Sequence, residues 1–168
     1  MVRGLQGSSD GTIDSDHVAA TLKHFAGYAG TAGGRNRSPY THGPRYLLDN
    51  EVAPFRYVIR SARPASVMAA FNEVDGLPCH VNPWILTDVL RNRIGFKGLV
   101  VGDYQGIDLV RQYQKIGTSD ADAARMALQA GLQLELPNNF GYKHLPQLIR
   151  EGKVSESTLD TAVRAVLA

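Results

Sequence analysis

Asp103 closes the apolar run Leu99-Val100-Val101-Gly102-Asp103. A carboxylate at the end of a buried strand is costly unless it is paired or used. Lys23 and His24 close another apolar run, Val18 to Phe25. A cation and a titratable imidazole beside a carboxylate would hold it ionised. Such a carboxylate can act as nucleophile, general base or metal ligand. The plain alternative is a structural ion pair between Lys23 and Asp103. Two further runs also end in polar or special residues: Ala65 to Phe71 in Asn72-Glu73, and Leu132 to Leu136 in Glu135 and Pro137. Four such endings together point to one shared mouth, where α/β folds gather their chemistry.

Other chemistries lack their motifs. The chain has no G-x-S-x-G, no H-E-x-x-H and no paired C-x-x-C. His17, His24, His42, His80 and His144 are scattered, without metal-ligand spacing on one element, so neither a metal nor another cofactor is expected. Gly27, Gly30, Gly33 and Gly34 follow a strand but match neither common phosphate-loop pattern, and a flexible rim is the better reading. Cys79, the single cysteine, excludes an internal disulfide and reads as a structural core residue.

These residues need elements to hold them. The four apolar runs do not alternate, as expected for strands of a parallel sheet buried on both faces. Leu48, Val52, Phe55 and Ile59 share one helix face, which Pro54 should kink or restart. Asn82, Pro83 and Gly95 punctuate the next helix as N-cap, first residue and stop. Further helices are expected over Ser119 to Ala130 (stopped by Gly131), over His144 to Arg150 (ending near Gly152), and after a Ser155 cap. The order is β then α, four times, which gives a parallel sheet with helices packed outside it. A doubly wound sheet and an eight-stranded barrel both accommodate it.

Composition sets outer limits. The 168 residues carry 43% hydrophobic and 20% charged residues and a formal net charge of +2. That is ordinary for one globular domain, and it calls for neither nucleic acid nor membrane as partner. There is no apolar run of membrane-spanning length and no signal-peptide pattern at Met1 to Asp10, so the compartment stays open: cytoplasmic, periplasmic or secreted.

With these residues in view, the chain resembles the family 3 glycoside hydrolases. Lys23-His24-Phe25-Ala26-Gly27-Tyr28 with Gly33-Gly34-Arg35 is similar to that family's K-H-F-x-G-Y segment. Ser66-Val67-Met68-Ala69-Ala70-Phe71-Asn72 with Gly76-Leu77-Pro78 resembles its S-V-M-x-x-[YF]-N…G-x-P stretch. Gly95-Phe96-Lys97-Gly98-Leu99-Val100-Val101-Gly102-Asp103-Tyr104 resembles its nucleophile region, and Ala130 to Pro137 its A-G-x-D-x-x-M-P strand. The resemblance runs in order over nearly the whole chain.

It implies a retaining, exo-acting glycosidase, foremost a β-glucosidase, acting on a terminal β-glucoside or oligosaccharide. Asp103 then takes the nucleophile position. Lys23 and His24 take the pair that binds glycone hydroxyls, and Arg35, Met68 and Tyr104 line the pocket. No residue matches the family's acid/base. Glu73 is the one in-chain candidate and a weak one. Gly102, Phe71, Gln133 and Leu136 depart from the usual Ser, Tyr, Asp and Met. The implied fold is four β/α units, residues 1–168, resembling the second half of a TIM-type (β/α)8 barrel. A whole barrel needs eight strands and ~250 residues. The chain is therefore expected to be a fragment, inactive alone, completed by the missing half-barrel and a C-terminal domain in cis or by self-association. A non-catalytic sugar-binding half-barrel and a β-xylosidase of the same family are the alternatives.

Overall fold

The computed structural model describes residues 1–8 and 10–167. Its centre is a parallel sheet of β1 (Thr21–Phe25), β2 (Ser66–Ala69) and β5 (Leu99–Val101), in the spatial order β1-β2-β5. A small antiparallel hairpin, β3 (Glu73–Val74) and β4 (Leu77–Pro78), follows β2. The α-helices are α1 (Val2–Gln6), α2 (Pro44–Tyr46), α3 (Ala53–Ala62), α4 (Gly106–Gln112), α5 (Asp120–Ala130), α6 (Leu145–Arg150) and α7 (Glu156–Leu167). Wider, π-helical stretches occupy Leu47–Glu51 and Trp84–Ile94.

The register explains why the strands are apolar throughout. Leu22, Val67 and Val100 lie side by side on one face of the sheet, and Val67 and Val100 are fully buried. Ile85, Leu86, Val89 and Leu90 from the Trp84–Ile94 stretch join this core, with Ala123, Ala124 and Ala127 of α5. Each fully buried Leu, Ile or Val side chain contributes about 1.5–3 kcal/mol. A second cluster, Leu128, Leu145, Leu148, Val154 and Ala162, ties α5 to α6 and α7. Among the described residues, no helix is long and apolar enough to cross a membrane.

The expected punctuation is present. Asn82 Oδ1 accepts the Ile85 amide at 3.2 Å, and Gly95 ends that helix at φ 84°. Ser119 Oγ accepts the Asp122 amide at 3.1 Å, and Gly131 stops α5 at φ 104°. Ser155 Oγ accepts the Thr158 amide at 3.2 Å. At Pro54 the helix restarts: the π-helical Leu47–Glu51 gives way to α3, which holds Pro54 in its first turn.

Three features differ from expectation. The run Leu132 to Leu136 forms one parallel bridge, Val101 to Leu134, rather than a ladder. The cause is local. The Val100 amide, which would extend the ladder, donates to Gln133 Oε1 at 3.0 Å, and the Leu132 carbonyl accepts the Tyr142 hydroxyl at 2.6 Å. The hairpin β3–β4 was not anticipated, although Asp75-Gly76 is a two-residue turn pair with φ 54° and 76°. Helices α1 and α4 are also additions, each shorter than a sequence period can reveal.

Candidate active site

Lys23 and His24 leave the C-terminal end of β1, where the β1–β2 register shifts between Leu22 and Phe25. Asp103 leaves the end of β5 two residues beyond Val101. The two ends converge: His24 Nε2 lies 3.3 Å from Asp103 Oδ2, with side-chain exposures of 20% and 15%. Asp103 Oδ1 accepts the Tyr104 amide at 2.7 Å. One carboxylate oxygen is therefore bonded to the backbone and the other faces His24, while the group still reaches the surface.

The turn that presents Asp103 has every amide satisfied. Gly102 donates to the Leu134 carbonyl at 2.8 Å, Gln105 to the Leu136 carbonyl at 2.8 Å, and Gly106 to the Asp103 carbonyl at 2.9 Å. The Asp103 amide donates to His80 Nε2 at 2.9 Å. His80 is fully buried and stacks on Phe71, centroids 5.7 Å apart. Burial is the main reason its imidazole is pushed down to about 4, so the ring is neutral near pH 7. His24 is also lowered, first by burial and further by Lys23, against the opposing pull of Asp103. A neutral His24 can still donate one ring N–H to the carboxylate.

The other expected residues are placed as follows. Lys23 is exposed, and no ion pair with Asp103 exists among the described residues; the carboxylate's partner is His24. Met68 sits half-buried on β2, in register with Val101. Tyr104 is 61% exposed beside Asp103. Arg35 is exposed on the loop after β1. Glu73 is half-buried in β3, with no side-chain bond to Asp103 or His24 among the described residues. Glu135 is buried and fully occupied, accepting the Gly141 amide at 2.8 Å and the Tyr142 amide at 2.8 Å.

The glycine-rich loop folds on itself. The Gly30, Ala32 and Gly34 amides donate to loop carbonyls of Gly27, Pro39 and Thr31, which leaves those donors unavailable to a phosphate. Gly27 and Gly30 pack against the Tyr40 ring with no room for a Cβ. Cys79 is buried and donates to the Ala26 carbonyl at 3.5 Å, and burial raises its thiol to about 12. That is an inert structural cysteine.

Two residues at this end of the sheet were missed. Arg37 reaches over Phe71, 5.4 Å from the ring centroid, and over Tyr113 at 5.6 Å. His80 lies 23 residues before Asp103, and only the apolar company of Cys79 and Val81 hinted at its burial. A surface cleft of about 580 Å³ between Asp122 and Glu151 includes none of these groups.

A sequence profile described as the glycosyl hydrolase family 3 N terminal domain matches residues 1–168. The chain is 36% identical over 169 residues to a periplasmic beta-glucosidase of Salmonella typhimurium, covering 99% of this chain and 21% of that protein. It is 34% identical over 136 residues to a beta-xylosidase of Formosa agariphila, covering 81% of this chain and 19% of that one. A β-glucosidase structure from Erythrobacter marinus superposes with TM-score 0.94 at 38% identity, covering 99% of this chain and 22% of that one. A Listeria innocua β-glucosidase in complex with isofagomine gives TM-score 0.92 at 34% identity, covering 99% and 23%. The chain thus spans about a fifth of the length of the curated relatives it matches.

Proposed function

Because the chain belongs to glycosyl hydrolase family 3, we propose that Asp103 is the nucleophile of a retaining, exo-acting β-glucosidase. The observation that carries this is the 3.3 Å contact between His24 Nε2 and Asp103 Oδ2, made where two parallel strands end. A carboxylate oxygen attacks the anomeric carbon as the glycosidic C–O bond breaks, giving a glycosyl ester. Water then attacks that carbon and restores the carboxylate. The aglycone oxygen takes a proton from an acid/base carboxyl, which returns to the acid form when it deprotonates the water. No residue of this chain is assigned that role. Among the described residues Glu73 makes no hydrogen bond or ion pair with His24 or Asp103, and both Glu135 oxygens are taken by backbone amides.

Lys23 and His24 are assigned to glycone hydroxyls, with Met68, Tyr104 and Arg35 around them. His24 holds one carboxylate oxygen and leaves attack to an anion that it orients. The parallel order β1-β2-β5, continued by the Leu134 bridge, supports the reading of residues 1–168 as four β/α units of a larger barrel. The acid/base and the remaining glycone contacts are assigned to sequence outside this chain, in cis or in a partner copy.

The test is Asp103→Ala in the protein with its barrel complete, assayed on an aryl β-glucoside. Turnover should fall by at least about 10⁴-fold while weak glucose binding persists. An Asp103→Ala protein that keeps its rate removes the assignment. Sugar binding with no turnover in the native protein would favour a non-catalytic binding module. The similarity to the Formosa agariphila beta-xylosidase supports a second substrate reading. Comparing kcat/KM on aryl glucoside and aryl xyloside decides between the two.

A further inference from the structure

Among the described residues, His80 is the one side chain that satisfies a backbone amide in the Asp103 turn from another segment: the Gly102, Gln105 and Gly106 amides donate to carbonyls, and Tyr104's to Asp103 itself. Its ring also stacks on Phe71, just past β2. One imidazole thus spans the C-terminal ends of β2 and β5. Accepting at Nε2 fixes the ring proton on Nδ1. The surroundings are shaped to this ring. Phe71 stacks on one side, and a Cβ at Gly106 would collide with Nε2 itself. Gly106 is therefore small because His80 occupies that space, since its φ makes no demand for glycine.

We propose that His80 is a positioning residue for glycoside cleavage, clamping the Asp103 backbone so that its carboxylate stays aimed at the anomeric carbon beside His24. This rests on the reading of Asp103 as nucleophile. The clamp works from behind, since His80 is 1% exposed and cannot meet substrate. Its loss leaves a half-buried amide without an acceptor, and the turn shifts to satisfy it.

The test compares His80→Gln with His80→Met in the protein with its barrel complete. The two side chains have similar length, but only Gln places an acceptor where Nε2 lies. His80→Gln should retain kcat within about threefold, whereas His80→Met should lose about 100-fold in kcat with KM little changed. If His80→Met does not fold, His80→Asn, whose acceptor falls short of the Asp103 amide, takes its place. Hydrogen exchange at the Asp103 amide reads the clamp without any turnover, and should be slow in native and Gln proteins and fast in the others. Equal kcat in Gln and Met variants of matched thermal midpoint overturns the inference, as does unchanged Asp103 exchange. A protein in which exchange responds as expected but Asp103→Ala still turns over keeps the clamp and loses the nucleophile.

Discussion

Two imidazoles meet Asp103, one at its carboxylate and one at its amide. The buried one has a consequence for stability. His80 in the fold is held near 4 against an ordinary value of 6.5. As pH falls through about 6.5, the unfolded chain takes up a proton that the folded chain refuses, so stability falls. The loss continues down to about pH 4, where the folded form also protonates, and it levels off below that. The slope is on the order of 1 kcal/mol per pH unit at most. Urea midpoints at pH 7 and pH 5 should therefore diverge more for the native protein than for His80→Gln. Equal divergence would remove His80 as the cause. Gly102 is a quieter residue. A Cβ there would meet His80, Leu132 and Leu134 at ordinary 3.5 Å contacts, so Gly102→Ser should fold normally and leave activity within about threefold, checked by thermal midpoint and turnover.

At the scale of elements, the run after Gly131 is held by a side chain as well as by backbone bonds to β5 and the turn after it. Gln133 Oε1 accepts Arg91 Nη2 at 2.7 Å and the Val100 amide at 3.0 Å. Gln133→Leu leaves a half-buried guanidinium and a buried amide without that acceptor, and should cost about 2 kcal/mol in chemical denaturation. Ser119→Ala removes the α5 cap and should cost about 1 kcal/mol. Caps of this kind were legible because they are local: Asn82, Ser119, Ser155, Gly95 and Gly131 each announce themselves within a few residues. Asp103 and His24 were legible too, since polar residues at the ends of apolar runs stand out. His80 and Arg37 were not, because their partners Asp103, Phe71 and Tyr113 come from other segments and only tertiary packing joins them. The Leu132 to Leu136 ladder failed for a related reason. Periodicity reports burial, and it is silent on a side chain that takes the place of a backbone partner.

At the scale of the molecule, one face of the sheet is fully packed and the other only in part. Leu22, Val67 and Val100 pack into the core, while the neighbouring register layers mix exposed Thr21 and Lys23 and half-buried Leu99 and Met68 with buried Ser66 and Val101. Parallel strands with a partly open face and short edge pairing invite partners. The 168-residue chain alone should therefore self-associate and turn over little or no substrate, and co-expression with the remainder of the barrel should restore both monodispersity and activity. Size-exclusion chromatography with an aryl β-glucoside assay checks both. The most direct measurement is mass spectrometry of the completed protein after incubation with a 2-deoxy-2-fluoro-glucoside, which traps glycosyl-enzymes. A single adduct on the peptide that contains Asp103, absent from Asp103→Ala, is the predicted result. An adduct on another carboxylate, or none from a folded protein that cleaves aryl glucosides, would contradict the account.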